Sequence, residues 1–122
     1  MKPIGFAGSC VEPEHFSPAL ERIVSGNPGQ TAWNHYADTT GQFNCGVWQG
    51  EAGSWRVVYA PHEEEFCVLL EGRVKLTAQD GSVSEFAAGD AFVVPGGFAG
   101  IWENIGRVRK HYAIMALKEG AV

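Results

Sequence analysis

From Thr31 onward, apolar and polar residues alternate in short runs that glycine, proline or an acidic turn residue interrupts about every eight to twelve positions, a pattern that specifies strands closing into a sandwich or barrel. Val47-Trp48 stops at Gly50 to Gly53, and Trp55 to Ala60 stops at Pro61. Phe66 to Leu70 is almost wholly apolar, as a strand covered on both faces would be, and Glu71-Gly72 is expected to turn it into Val74 to Ala78. Asp80-Gly81 predicts a hairpin of type I′, which needs positive φ at both central residues. Ser82 to Phe86, Ala91 to Val94, Gly100 to Trp102 and Arg109 to Leu117 complete an all-β set.

Met1 to Gln30 reads differently. Pro3, Pro13, Pro18 and Pro28 interrupt any long element, so residues 1–30 are expected to form an arm and residues 31–122 the barrel domain. At most one short helix fits the arm: Ser17 as cap, Pro18 in the first turn, Ala19 to Val24 as helix body and Gly26 as its end.

At 122 residues the chain suits a single domain. Its net charge is −5 and its nine lysines and arginines are scattered, so no basic patch faces a nucleic-acid partner. No apolar run is long enough to cross a bilayer, and the N-terminus has no hydrophobic signal core, so a soluble cytoplasmic protein without a membrane partner is expected. Cys10, Cys45 and Cys67 show no C-x-x-C spacing; they read as reduced thiols, not as a disulfide framework or zinc site.

The most specific signal is the spacing within Gly53 to Gly72 and Gly89 to Asn104. Gly53, Glu65 and Gly72 occupy the framework positions of G-x5-H-x-H-x3-E-x6-G, with Tyr59 and Pro61 in the two histidine slots. Pro95, Gly97 and Asn104 follow Gly89 as in G-x5-P-x-G-x2-H-x3-N, with Gly100 in the histidine slot. On these residues the chain resembles the cupin superfamily from roughly Trp33 to Leu117. The wording GVWQG, EEFCVLLEG, GDAFVVPGGFAGIWEN and VRKHY is similar to the small single-domain group related to ureidoglycine aminohydrolase and the ethanolamine-utilisation cupin. The resemblance implies a double-stranded β-helix, or jelly roll, whose inward-facing alternate residues line a pocket.

A typical metal cupin holds a first-row metal through three histidines and one carboxylate. Here the carboxylate of Glu65 alone remains, so no metal and no cofactor are expected; the competing possibility recruits His62, His111 or Cys67 beside Glu65. If Glu65 points inward as in the motif, Cys67 and Leu69 share its face, Gly100, Trp102 and Asn104 share the corresponding face of the later strand, and Lys110, Tyr112 and Ile114 share one face of the last. The candidate catalytic residues are therefore Glu65 and Lys110, forming either a structural ion pair or an acid and base set. Tyr59, Cys67 and Trp102 are the candidate ligand-binding residues. Tyr59 is a hydrogen-bond donor or a volume filler, Trp102 a flat wall or core packing. Asn104 is expected to fix the turn before Gly106.

Two functions fit: a metal-independent enzyme on a small metabolite using Glu65 as general acid or base, or a non-catalytic binding module with a degenerate site. A homodimer through the outer face of one sheet is expected, with Trp48 and Trp55 covered there.

Overall fold

Where the sequence shows short runs, the computed structural model, which describes residues 1–118, shows nine strands. They are β1 (Glu14–Phe16), β2 (Ile23–Gly26), β3 (Gln30–Ala37), β4 (Phe43–Gly50), β5 (Gly53–Val58), β6 (Glu63–Ala78), β7 (Val83–Ala87), β8 (Ala91–Val94) and β9 (Ala99–Ala116). All pairing is antiparallel. Among the described residues no helix is long and apolar enough to cross a membrane.

Two strands hold the barrel together by serving both of its sheets. The first half of β6 pairs with β8 and with the second half of β9, which continues to β4, β3 and β1. The second half of β6 pairs with β7 and with the first half of β9, which continues to β5 and β2. Glu71-Gly72 is therefore not a turn. β6 runs through it for 16 residues, with register shifts between Leu69 and Glu71 and between Glu71 and Arg73. Gly72, at φ +87°, takes the left-handed conformation that lets the strand bend from one sheet to the other, and any Cβ there would meet the Arg107 carbonyl. Gly100 to Trp102 and Arg109 to Ala116 likewise belong to one strand, bent near Gly106, and Leu117 lies just past its end.

The hairpin at Asp80-Gly81 exists, but its turn differs. Only Gly81 has positive φ; its N–H donates to Ala78 O, and Ala78 N–H donates to Ser82 O, so the connection is a three-residue loop ending in a glycine bulge. Asp80 accepts from the Ser82 N–H and hydroxyl, which fixes it in the ordinary negative-φ region.

The arm contributes strand rather than helix. Leu20–Arg22 makes one 3-10 turn, and the β-branched Ile23 and Val24 then continue as β2, pairing Ile23 with Trp55. A second 3-10 turn at Phe6–Gly8 lays Phe6 against the His35 ring, centroids 4.7 Å apart.

Between the sheets, Trp48, Trp55, Leu69, Val74, Trp102 and Val108 form the heart of one apolar cluster. Trp48 and Trp55 are thus inside the barrel, and the expectation that they cover an outer interface is corrected. Trp55, on β5, has the inward Trp102 as its cross-strand partner.

Candidate functional site

Alternation along β6 sends Glu65, Cys67 and Leu69 inward, while Phe66 between them is 48% exposed. On β9 the inward residues are Lys110, Tyr112 and Ile114, opposite Leu69, Cys67 and Glu65 in turn. Lys110 thus starts beside Leu69, and its four-carbon stem carries Nζ back along β6 to within 3.0 Å of Glu65 Oε2. From the other sheet, just beyond β5, the Tyr59 hydroxyl donates to Glu65 Oε1 at 2.6 Å. Both carboxylate oxygens are engaged, and both charged side chains are about 5% exposed.

Aromatic faces enclose the cation. Nζ of Lys110 stands 4.6 Å from the centre of the Trp48 ring and 4.2 Å from that of Trp102, distances at which an indole face attracts an ammonium. Trp55 completes a triangle of indoles whose centroids are 6.1 to 6.3 Å apart. Each of two rings is pinned at its N–H: Trp48 Nε1 donates to Gln30 Oε1 and Trp102 Nε1 to Asn104 Oδ1. Asn104 in turn donates to Glu51 O, so it orients Trp102 and ties down the β4–β5 loop instead of fixing the turn at Gly106.

These side chains wall a cavity of about 540 Å³. Trp48, Trp55, Trp102, Tyr59 and Tyr112 line it together with Glu65 and Lys110, and Glu12, Glu14 and Phe16 of the arm form part of its edge. The structure therefore brings four of the five sequence candidates into one cavity. Cys67 is the exception: it is fully buried behind the ion pair and does not line the cavity, because the Glu65 and Lys110 side chains lie over it.

Burial pushes the Cys67 thiol up to about 12, against the pull of the neighbouring Lys110. Burial, then the Glu65 carboxylate, holds the Tyr59 phenol far above its usual range. For Lys110, burial favours the neutral amine, but Glu65 and Cys67 outweigh it and the pKa is raised. All three groups keep their protons more tightly folded than unfolded, so the stability they contribute is complete at neutral pH and lost in alkali. Loss begins at Cys67 above pH 9.0, then at Tyr59 above 10.0 and at Lys110 above 10.5. Urea unfolding should show stability falling between pH 9 and 10, with Cys67 contributing about 1 kcal/mol of that loss. Cys67→Ala should flatten that part of the profile.

His62 and His111 both lie at the surface, His111 on the outer face of β9 with its ring at a steep angle to that of Phe6. What the sequence does not reveal is the indole cage and the Asn104 tether. The alternation that places Tyr59 inward also places Trp55 inward, and that signal was available; the cross-strand meeting of Trp48 with Lys110 was not.

A family model describing the EutQ-like cupin domain matches residues 37–112. The chain belongs to the EutQ-like cupin domain family. No curated protein matches this cupin. Among solved structures it is similar to a DUF861-family protein of unknown function from Pseudomonas syringae pv. tomato, with 28% identity and TM-score 0.75 over 88% of this chain. The cupin spans only 45% of that protein's length. A DUF861-family protein from Thermotoga maritima is 33% identical over 54% of this chain and 73% of its own, with TM-score 0.51. A putative ethanolamine utilization protein Q from Salmonella typhimurium shares the fold, with TM-score 0.64 and 16% identity over 90% of this chain and all of its own.

The metal that the wider superfamily implies does not fit these residues. Tyr59 and Lys110 occupy both oxygens of Glu65. The remaining slots hold Pro61 and Gly100, and a Cβ at position 100 would run into the Thr77 carbonyl on β6. Among the described residues no three His, Cys, Asp or Glu side chains gather as a metal would need.

Proposed function

We propose that this cupin domain binds a small molecule in the indole-walled cavity, with Glu65, Lys110 and Tyr59 as its polar floor. The observation that carries this reading is a buried, hydrogen-bonded ion pair lining a cavity of about 540 Å³, within the range of small-molecule sites. Three indoles supply flat apolar walls suited to a planar or ring-shaped ligand. Binding is favoured over acid–base catalysis by Glu65, since both of its oxygens are already hydrogen-bonded within the protein, to the Tyr59 hydroxyl and the Lys110 ammonium, as in a structural ion pair.

A thermal-shift screen of small metabolites on the wild type and on Glu65→Gln tests this. Compounds that stabilise the wild type should lose at least about tenfold in affinity in the variant, about 1.4 kcal/mol. A hit that binds both proteins equally removes Glu65 from the site.

The outer face of the first sheet supports a homodimer in place of the tryptophan interface. Phe66 lies opposite Val93 and Phe43 opposite Met115, each between 40% and 58% exposed, on the side facing away from the cavity. Light scattering at micromolar concentration should give twice the chain mass, and Phe66→Glu should return it to the monomer value.

A further inference from the structure

Resting on the proposed pocket, we infer that its ligand is an uncharged molecule that presents a carbonyl oxygen to Lys110 Nζ. The ammonium has three N–H donors, and one hydrogen-bonds to Glu65 Oε2 at 3.0 Å. Trp48 and Trp102 attract its charge through their ring faces without offering an oxygen or nitrogen acceptor, and the Cys67 thiol behind it is a weak one. Donor capacity is therefore left at a group 5% exposed that lines the cavity. A buried donor of this kind calls for an acceptor from the ligand.

The charges around the cavity decide what kind of acceptor. Among the described residues its lining holds three carboxylates, Glu12, Glu14 and Glu65, and one cation, Lys110. That cation is already shared between Glu65 and two indole faces. A ligand carboxylate would bring a further negative charge beside Glu65, whereas a ligand ammonium would be repelled by Lys110 at the floor. A neutral amide or ketone carbonyl meets neither obstacle. Tyr59 does not compete for the role, because its hydroxyl hydrogen is directed at Glu65 Oε1. The three indoles then take the flat group to which the carbonyl is attached.

Calorimetric titration with benzamide, benzoate and benzylamine, which share one ring and differ in charge, tests the inference. Benzamide should bind the wild type at least tenfold more tightly than either charged probe. The double variant Lys110→Met/Glu65→Gln, which removes both charges and so keeps the floor neutral, should lose at least tenfold in benzamide affinity. Equal or tighter binding of benzoate or benzylamine overturns the inference, as does undiminished benzamide binding by the double variant. Absence of benzamide binding at millimolar concentration also overturns it. The pocket itself fails separately, if no compound in the metabolite screen stabilises the wild type.

Discussion

Lys110→Met lowers the unfolding free energy by about 3 to 5 kcal/mol, the loss expected when one partner of a buried ion pair is removed and the other stays. The variant keeps the volume and the apolar stem but leaves the Glu65 carboxylate with the Tyr59 hydroxyl as its only hydrogen-bond donor. Trp48 and Trp102 lose the cation between them at the same time. Adding Glu65→Gln removes the stranded charge while keeping an acceptor for Tyr59, so the double variant should recover most of the loss. Urea unfolding of the wild type, both single variants and the double variant at neutral pH gives the coupling energy directly. A Lys110→Met protein as stable as the wild type would mean that water reaches Glu65, and that the pair is not desolvated as its burial indicates.

Gly100→Ala is expected to cost at least about 3 kcal/mol, at or beyond the upper end for overpacking, because the new methyl group meets backbone rather than a movable side chain. Gly100 pairs with Ala78 in the β6–β9 ladder, and its missing Cβ is what lets the Thr77 carbonyl and the Ala78 Cα approach. Relief requires the two longest strands to part at their ends. The melting temperature should fall by roughly 10 °C or more, measured by calorimetry. Gly100→His, which would rebuild a histidine slot of the superfamily motif, should be no more stable than the alanine variant. A Gly100→Ala protein with an unchanged melting temperature would show that the strands can separate there at little cost.

The same glycine shows how much of this cupin is legible in its sequence. Spacing alone identifies Gly53, Glu65, Gly72, Gly89 and Asn104 as framework positions, and strand alternation correctly sends Glu65, Trp102 and Lys110 to the interior. Glycine's local meaning is less determinate. Gly72 reads as a turn residue because it follows a run of apolar residues, but positive φ serves a bent strand as well as a turn, and only the pairing of Glu71 with Arg109 distinguishes them. Pairs distant in the chain are the other hidden part. Nothing near Trp48 in sequence says that it lies beside Lys110, and nothing near Cys67 says that two longer side chains fold over it. The arm strands are three and four residues long, too short for alternation to stand out.

Lys110 and Trp102 lie on a single 18-residue strand, eight positions apart across its bend, while their facing partners Leu69 and Leu76 lie on the other long strand. Neither sheet can peel away alone, for each shares its central members with the other. The barrel should therefore melt in one step, and continuous main chain, bent at Gly106, joins the lysine to the opposite wall.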